Sequence, residues 1–462
     1  MRRHANHQLK TLMDEAGYSA AELARQVRAL AHPAGLDVAY GRSTVSHWLA
    51  GSRPPAPVPE LVAQALSERL GRCVSAEDTG LTRHPAHLGA AVRALSPGAS
   101  PLATLILLAR EDLTVEGRAE LTRSVFRPGP VPQPPWHDRV PPPRARPGRQ
   151  PVAGPALASA QMTKVFHTMY DAFGGRHGRG AVASYIADDM AALLTRIAPG
   201  ADRRQGLRTA TELAHLMARM SDDAGHHALA QHYFTAALAL AAEADERTTY
   251  AITLRVMSAQ AVRIGRHRYA AALADAAVKT TRGRAAHAEE SFLLTQQALT
   301  LALDARPRAA VRVLVAAEAL HDDGQVGGNG RTGRNGLGGT YPRAAFDYQR
   351  AQVLRAVGEH RQAAIALTAS LRHRPPDERR NTALTHADLA ETLTGIGHLD
   401  EAGAHWTAFL AALPHLHSAT VDQAHTRIRQ HLAAHQRHPG ARLLLDRSNA
   451  LVLSRPQPRT AG

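Results

Sequence analysis

The sequence predicts an all-α protein in which two helical domains are joined by a proline-rich linker. Alanine and leucine dominate its 462 residues, and aromatic residues make up only 4% of them. This composition favours helices that pack through small side chains. Glycine turns recur about every 40 residues in the second half of the chain, and prolines crowd residues 128–155. No β-rich segment with the alternation of a half-buried strand stands out.

Residues 1–81 contain four helix-forming segments separated by turn signals. Residues 6–16 carry apolar side chains at helical spacing and end at Gly17, a favourable helix stop. Ser19-Ala-Ala-Glu22 has the spacing of a capping box, in which the serine and the glutamate satisfy each other's backbone amides. The third segment covers residues 41–50, and prolines separate it from a fourth helix over about residues 59–70. These segments predict a small helical bundle.

The third segment, GRSTVSHWLAGSR at residues 41–53, has two different faces when it is wound as a helix. Its bulky face suits packing on a neighbouring helix and comprises Val45, Trp48 and Leu49. The opposite face is small and polar and comprises Ser43, Ser46, His47 and Ala50. A face of this kind lets the backbone enter a DNA groove and offers hydrogen-bonding groups to base edges.

The Ser-Thr-Val-Ser-x-Trp run followed by Gly51, preceded by an Ala-Glu-Leu-Ala run, resembles phage-repressor-like (Xre-type) helix-turn-helix domains. The resemblance implies a transcriptional regulator that binds double-stranded DNA. The expected DNA contacts are Arg42, Ser43, Thr44, Ser46, His47 and Arg53. Residues 32–40 (HPAGLDVAY) replace the tight turn of that family, which leaves the angle between the second and third helices open. An ordinary amphipathic helix is the alternative.

Three further segments complete the expected domain organisation. Residues 82–127 are expected to form a helical appendix, and a homodimer contact through it is left open. Residues 128–158 are expected to form a semi-stiff, positively charged linker, because prolines remove hydrogen-bond donors and enforce extended geometry. Residues 455–462 are expected to be a disordered tail.

Residues 159–454 carry the glycine turns. Gly225 and Gly265 are 40 residues apart, and Gly358 and Gly397 are 39 apart. The interval between Gly265 and Gly358 holds two periods once a glycine-rich insert of about 15 residues is removed, so a turn without glycine is expected at residues 304–307. Such a period predicts stacked helical hairpins. The pattern resembles degenerate tetratricopeptide (TPR) repeats, although a plain helical array is the alternative.

Xre-type domains fused to TPR-like repeats form a class of bacterial transcription regulators, in some of which the repeats bind a signalling peptide or a partner protein. The resemblance therefore implies that a peptide or protein effector binds here. In stacked hairpins the first helix of each pair lines a concave groove. The residues expected to face it are Arg208, Glu212, Arg255, Gln296, Tyr348 and Arg350. A TPR-like adaptor whose first domain does not bind DNA is the second hypothesis.

Charge and cysteine content limit the classes of partner. The formal net charge of +15 comes almost wholly from arginine and favours a polyanionic partner, although the arginines are spread along the chain. The single cysteine, Cys73, excludes an intrachain disulfide and a thiolate zinc cluster. No signal peptide and no apolar run of the roughly 20 residues that a membrane helix needs is present. We therefore expect a cytoplasmic protein without a membrane partner.

Three motifs resemble chemical sites but favour no enzyme, cofactor or metal. GNGRTG, within residues 324–339, fits a phosphate-binding loop but lacks the strand that must precede it. His431 and His435 have metal-binding spacing without a third ligand. The glycines of FGGRHGR at residues 173–179 either hold an anion on exposed amides or simply join two helices, and the second reading is favoured. No nucleophile–base pair or pair of catalytic carboxylates can be assembled from the spacing.

Overall fold

In the computed structural model, the described residues are helical and contain no β-strand. They are residues 5–31, 39–55, 57–70, 74, 76, 78–81, 100–123, 126–136, 155–197, 201–281, 283–326 and 341–454. Several predicted features lie outside them: most of the HPAGLDVAY insertion, Cys73, residues 82–99, residues 137–154 of the linker, most of the glycine-rich insert and the tail. The chain forms two compact units, Met1–Pro130 with His226–Gln231, and Val131–Gly225 with His232–Gly462.

The first unit contains six described helices: α1 His7–Ala16, α2 Ala20–Ala31, α3 Arg42–Leu49, α4 Val58–Leu70, α5 Pro101–Leu113 and α6 Val115–Arg123. The Asn6 side chain caps α1 by accepting a hydrogen bond from the Leu9 amide, and Gly17 ends it in the left-handed conformation. The predicted capping box of α2 is confirmed, because the Ser19 amide donates to the Glu22 carboxylate at 2.9 Å and the Glu22 amide donates back to the serine hydroxyl. These ends are set by local sequence.

Helices α1–α4 enclose one apolar core. Helix α2 packs on α3 and α4, and α1 packs on α4. Trp48 is almost fully buried and meets the ring of Tyr40 edge to face, with centroids 5.4 Å apart. Burial of Val45 and Trp48 anchors α3, and therefore leaves its opposite side facing solvent.

The second unit is a TPR-like α-solenoid. Its opening helices are α7 Pro155–Phe173, α8 Arg179–Tyr185 and α9 Ala191–Arg196, the last two joined by a π-helical turn, Ile186–Met190. The hairpin helices follow as α10 Ala201–Asp223, α11 His227–Glu243, α12 Arg247–Arg263, α13 His267–Thr281, α14 His287–Leu303, α15 Pro307–Val326, α16 Arg343–Ala356, α17 His360–His373, α18 Arg379–Gly395, α19 Leu399–Ala412, α20 Ala419–Ala434 and α21 Pro439–Ser454. From α12 onward, each odd-numbered helix packs on the even-numbered helix before it.

The hairpin turns are built as the sequence predicts. Gly265, Gly358 and Gly397 each adopt positive φ after the first helix of a pair. At each of these turns the amide of the residue after the glycine donates a hydrogen bond back to the end of the first helix, as His398 does to the Leu393 carbonyl at 2.9 Å. The turn expected at residues 304–307 is present without glycine, and Ala305 takes the left-handed conformation there with φ 54°. The fold class of this unit therefore follows from its turns.

Contacts between distant parts of the chain bend the array so that α7 packs on both α10 and α18. The loop after α7 also hydrogen-bonds to the segment before α20: the Arg176 amide donates to the His417 carbonyl at 2.9 Å, and the His417 amide donates to the Phe173 carbonyl at 2.7 Å. Gly174 is required at this crossing, since its φ is 91° and an added Cβ would lie 2.9 Å from the His417 oxygen. Helix α7 and the loop after it are consequently joined to the last hairpins of the array.

Candidate functional site

Helix α3 presents the side that the sequence assigns to DNA. Arg42, Ser43, Ser46 and His47 are exposed, as is Arg53 after the helix. Thr44 is half-buried, and its hydroxyl accepts a hydrogen bond from the Gly41 amide at the start of the helix. The Ser46 hydroxyl donates to the Arg42 carbonyl at 3.0 Å. Five of the six predicted side chains are therefore accessible to a partner, and Thr44 is engaged in capping.

A cavity of about 310 Å³ lies among the described residues on the inner side of the repeat array. Its lining comes from α7, α10, α12, α14, α16, α18 and α20 and from the turns before α16 and α18. No lining residue comes from the second helix of a hairpin. This arrangement is the concave surface expected of stacked hairpins.

Aromatic side chains form much of the cavity wall. Tyr341 and Phe292 meet edge to face with centroids 5.0 Å apart. The Tyr341 hydroxyl lies 3.2 Å from that of Thr295, and burial raises its pKa to about 12. The Tyr348 hydroxyl donates to Asp388 at 2.7 Å, and burial together with that carboxylate raises its pKa. Both phenols therefore stay protonated at neutral pH.

Five arginines and four carboxylates line the cavity, and most of them are paired. The pairs are Arg263 with Asp222, Arg380 with Asp223 and Arg374 with Glu378. The remaining charged residues are Arg219, Arg255 and Asp171. None of these three has an ion-pair partner within 4 Å in the described part of the chain.

The three remaining charges are mostly buried. The Arg255 guanidinium lies over the Phe292 ring at 3.9 Å and donates to the Phe292 carbonyl at 3.4 Å. Burial lowers its pKa to about 10, so it keeps its charge at neutral pH. The Arg219 guanidinium lies 4.9 Å from the centre of the Tyr170 ring. Burial raises the pKa of Asp171 to about 6, although the charge of Arg219 opposes the rise.

A fully buried histidine lies beside these charges. His215 Nδ1 is 3.4 Å from the Thr253 hydroxyl. Burial lowers the pKa of His215 well below its usual range, and the charge of Arg219 adds to the effect. His215 is therefore neutral at pH 7 and contributes polarity to the cavity without charge.

One carboxylate joins the loop after α7 to the segment before α20, and we call this junction the closure of the array. Asp223 accepts hydrogen bonds from the Gly175 amide at 2.7 Å, the Arg380 guanidinium at 2.5 Å and the Ser418 hydroxyl at 2.7 Å. Burial alone would raise the pKa of Asp223, but the charge and hydrogen bond of Arg380 with the other two donors hold it below its ordinary value. We call Gly175, Asp223, Arg380 and Ser418 the clasp. In the loop of residues 173–179, the Gly175 amide thus donates a hydrogen bond to a carboxylate of the protein itself and not to an external anion.

The predicted effector residues occupy different places. Arg255 and Tyr348 line the cavity. Gln296 is fully buried away from it, where it bridges Ser258 and Gln349. Arg208 pairs with Glu246, and Arg350 pairs with Glu318, both outside the lining. Glu212 is half-buried, and burial raises its pKa to about 7.

Sequence reasoning missed Arg219 and Asp171. Arg219 continues the helical stripe begun by Arg208 and Glu212, since it lies seven residues, or about two helical turns, after Glu212, so the sequence carries a signal for it. Asp171 enters the cavity from α7, which precedes the glycine-turn repeats and carries no repeat signature. Of His431 and His435, which have metal-binding spacing, His435 is otherwise engaged, since its Nδ1 lies 2.9 Å from the His431 carbonyl.

Comparison with known proteins gives limited likenesses. The family model described as the SP15 N-terminal domain matches residues 9–82, which contain most of α1 and all of α2–α4. The crystal structure of the APC/C hetero-tetramer Cut9-Hcn1 includes a chain with 14% sequence identity and a TM-score of 0.35. That alignment covers 90% of this chain and 68% of the other. The comparison with curated proteins gives no match.

These likenesses leave the first domain without support for the phage-repressor family, because the matching model is that of a different domain. The Cut9 likeness is too distant to carry an argument, so the assignment of the second unit depends on its helical hairpins and turns. None of the described helices is long and apolar enough to cross a membrane.

Proposed function

We propose that this chain is a protein-interaction adaptor whose TPR-like array binds a peptide or a segment of a partner protein, without a catalytic step of its own. The observation that carries the proposal is the inner cavity, which is lined by α7, by first helices of the hairpins and by the turns before α16 and α18. Its volume of about 310 Å³ is near the lower end of ligand pockets, which span roughly 300–1,000 Å³. A few side chains of a partner fill that space.

The chemistry of the wall supports a partner of mixed character. Tyrosine and phenylalanine rings supply apolar area, and arginine guanidinium groups supply directional donors. Residues of these types contribute most to binding at protein interfaces when they lie in enclosed pockets. A peptide side chain inserted here would lose part of its contact with water and gain both kinds of contact.

Filling the cavity tests the proposal. Ala345 lines it, whereas Ala272 is exposed on α13, so Ala345→Trp and Ala272→Trp form a matched pair. Proteins captured by the tagged full chain should be lost with Ala345→Trp and retained with Ala272→Trp, as measured by quantitative mass spectrometry. Capture that Ala345→Trp leaves unchanged would refute binding at the cavity.

DNA binding through α3 is a second candidate function. It is supported by the exposed row of Arg42, Ser43, Ser46 and His47 opposite a buried Val45 and Trp48. A helix anchored on one side and polar on the other suits insertion into the major groove, where arginine recognises guanine. Under this hypothesis the adaptor would also be a transcriptional regulator.

Selected DNA provides the test of this second function. The full chain should enrich a sequence from a random duplex library, and Arg42→Ala should weaken the enriched site about 10- to 100-fold. His47→Ala should act in the same direction but more weakly. Arg308→Ala is the charge-matched control, because Arg308 is exposed on α15 in the repeat array. Equal effects of Arg42→Ala and Arg308→Ala would contradict base recognition by α3.

A further inference from the structure

The charged residues that line the cavity do not balance one another. Three arginine–carboxylate pairs account for six of its nine charged residues. Arg219, Arg255 and Asp171 remain, and at neutral pH they sum to a single positive charge. A buried charge without a close counter-ion costs free energy, so this end of the cavity favours an anion.

Arg255 is the better placed of the two cations. Its residue is only 8% exposed, and its guanidinium carbon lies 3.9 Å from the centre of the Phe292 ring. A planar guanidinium forms paired hydrogen bonds with a carboxylate. The backbone carbonyl of Phe292 is its hydrogen-bond acceptor in the protein, at 3.4 Å. A ligand oxygen at normal distance would therefore be a stronger partner.

Asp171 is an internal competitor for one of these cations, Arg219. It is 7% exposed, and Arg219 is the largest favourable charge acting on its carboxylate. The residue pairs closely with neither arginine. Its negative charge therefore lowers the attraction of the cavity for a second anion without satisfying the cations.

We infer that the cavity binds the carboxylate of a monoanionic ligand at Arg219 and Arg255, with the ligand's apolar body against Phe292 and Tyr341, and in competition with Asp171. This inference depends on the proposed function, because it specifies the chemistry of the group that enters the cavity. The carboxylate belongs either to a peptide or to a small organic acid. A phosphate monoester fits less well, since its charge of about −1.5 to −2 exceeds the local excess.

Paired probes isolate the charge. N-acetyl-phenylalanine is an anion at pH 7, and its amide is a neutral molecule of nearly the same shape. The full chain should bind the acid about ten- to a hundredfold more tightly than the amide, as measured by titration calorimetry or ligand-observed NMR. Inorganic phosphate should compete poorly. Equal binding of acid and amide, or no binding of the acid, overturns the inference.

Variants assign the effect to residues. Arg255→Met should remove the preference for the acid, whereas Arg308→Met should preserve it. Asp171→Asn should tighten binding of the acid by on the order of tenfold, because it removes a like charge. If Arg219 and Arg255 were only structural, removing the charge of Asp171 would not tighten binding of the acid. Unchanged affinity in Asp171→Asn together with an unchanged preference in Arg255→Met refutes the assignment.

Folding is checked separately from binding. Since Arg255 has no close counter-ion, Arg255→Met should leave the thermal midpoint unchanged or raise it, a usual consequence of replacing a functional buried charge. Arg255→Lys keeps the charge and should keep some preference for the acid. A lowered midpoint in Arg255→Met, combined with equal binding of acid and amide by Arg255→Lys, would make Arg255 a structural cation and end the inference.

Two further comparisons separate the possible outcomes. If acid and amide bind equally and Ala345→Trp blocks both, the cavity is a binding site but the carboxylate inference fails. If Ala345→Trp leaves binding of the acid intact, the proposed site itself fails, and the inference fails with it. Tighter binding of acetyl-Ala-Ala-Phe than of N-acetyl-phenylalanine supports a peptide carboxylate, and equal binding supports a small acid.

Discussion

Asparagine at position 223 would break the clasp at its centre. The substitution preserves the shape of the side chain but removes the charge that faces Arg380, and both side chains are nearly buried, at 1% and 11% exposure. It also replaces one carboxylate oxygen by an NH₂ group. That group would face a hydrogen-bond donor, because every partner of Asp223 in the clasp donates a hydrogen bond to it.

The expected cost can be worked from this geometry. Removing one partner of a buried ion pair typically costs about 3–5 kcal/mol, because the other charge remains buried. At about 3 kcal/mol, the equilibrium constant for opening the contact between the loop after α7 and the segment before α20 would increase by at least about a hundredfold. The effect should be local to residues 173–176 and 417–422, which the clasp holds together.

Hydrogen exchange followed by mass spectrometry measures such local opening. In Asp223→Asn, the amides of Arg176 and His417 should exchange at least about a hundredfold faster than in the wild type, while those of α14 should be unchanged. Asp422→Asn is the matched control, since its pair with Arg176 is more than a third exposed on both sides and is worth at most about 1 kcal/mol. Equal acceleration in the two variants would refute the clasp.

Three further outcomes are expected. The pKa of Asp171 is raised from 3.8 to about 6, so its contribution to stability is full below pH 3.8 and is lost as the pH rises through 6. The free energy of unfolding of Asp171→Asn, relative to that of the wild type, should therefore rise by up to about 3 kcal/mol between pH 4 and pH 7, as measured by denaturant unfolding. A difference that does not change with pH would contradict burial as the cause of the raised pKa. The charged groups acting on it are Arg219, Glu378, Arg380 and Asp377. Trp48→Ala should destabilise the first unit by about 3–5 kcal/mol, seen as early loss of protection in α3, whereas exposed His47→Ala should not. Gly175→Ala should open the closure as Asp223→Asn does, because its Cβ would collide with the Met220 carbonyl, whereas Gly180→Ala has open space and should not.

The predicted effector residues show where sequence reasoning reached its limit. Helical spacing predicts that Arg255 and Tyr348 lie on the inner side of the array, and both line the cavity. Gln296 was placed there by the same reasoning, yet it bridges Ser258 and Gln349 within the layer of first helices. A shift of one residue along a helix changes the direction of a side chain by about 100°. That change decides whether the side chain faces the cavity or lies buried between the first helices, and the periodicity of the sequence does not distinguish the two.

Local structure was determined by the sequence itself. The capping box at Ser19, the turn at Gly397 and the two faces of α3 all depend on residues within one or two helical turns of each other. The ion pair of Asp223 with Arg380 joins residues 157 positions apart, and Asp171 reaches the cavity from a helix outside the repeat pattern. Which charges are paired and which remain available to a ligand was therefore decided only by tertiary packing, because an ion pair depends on distances that helical periodicity does not encode.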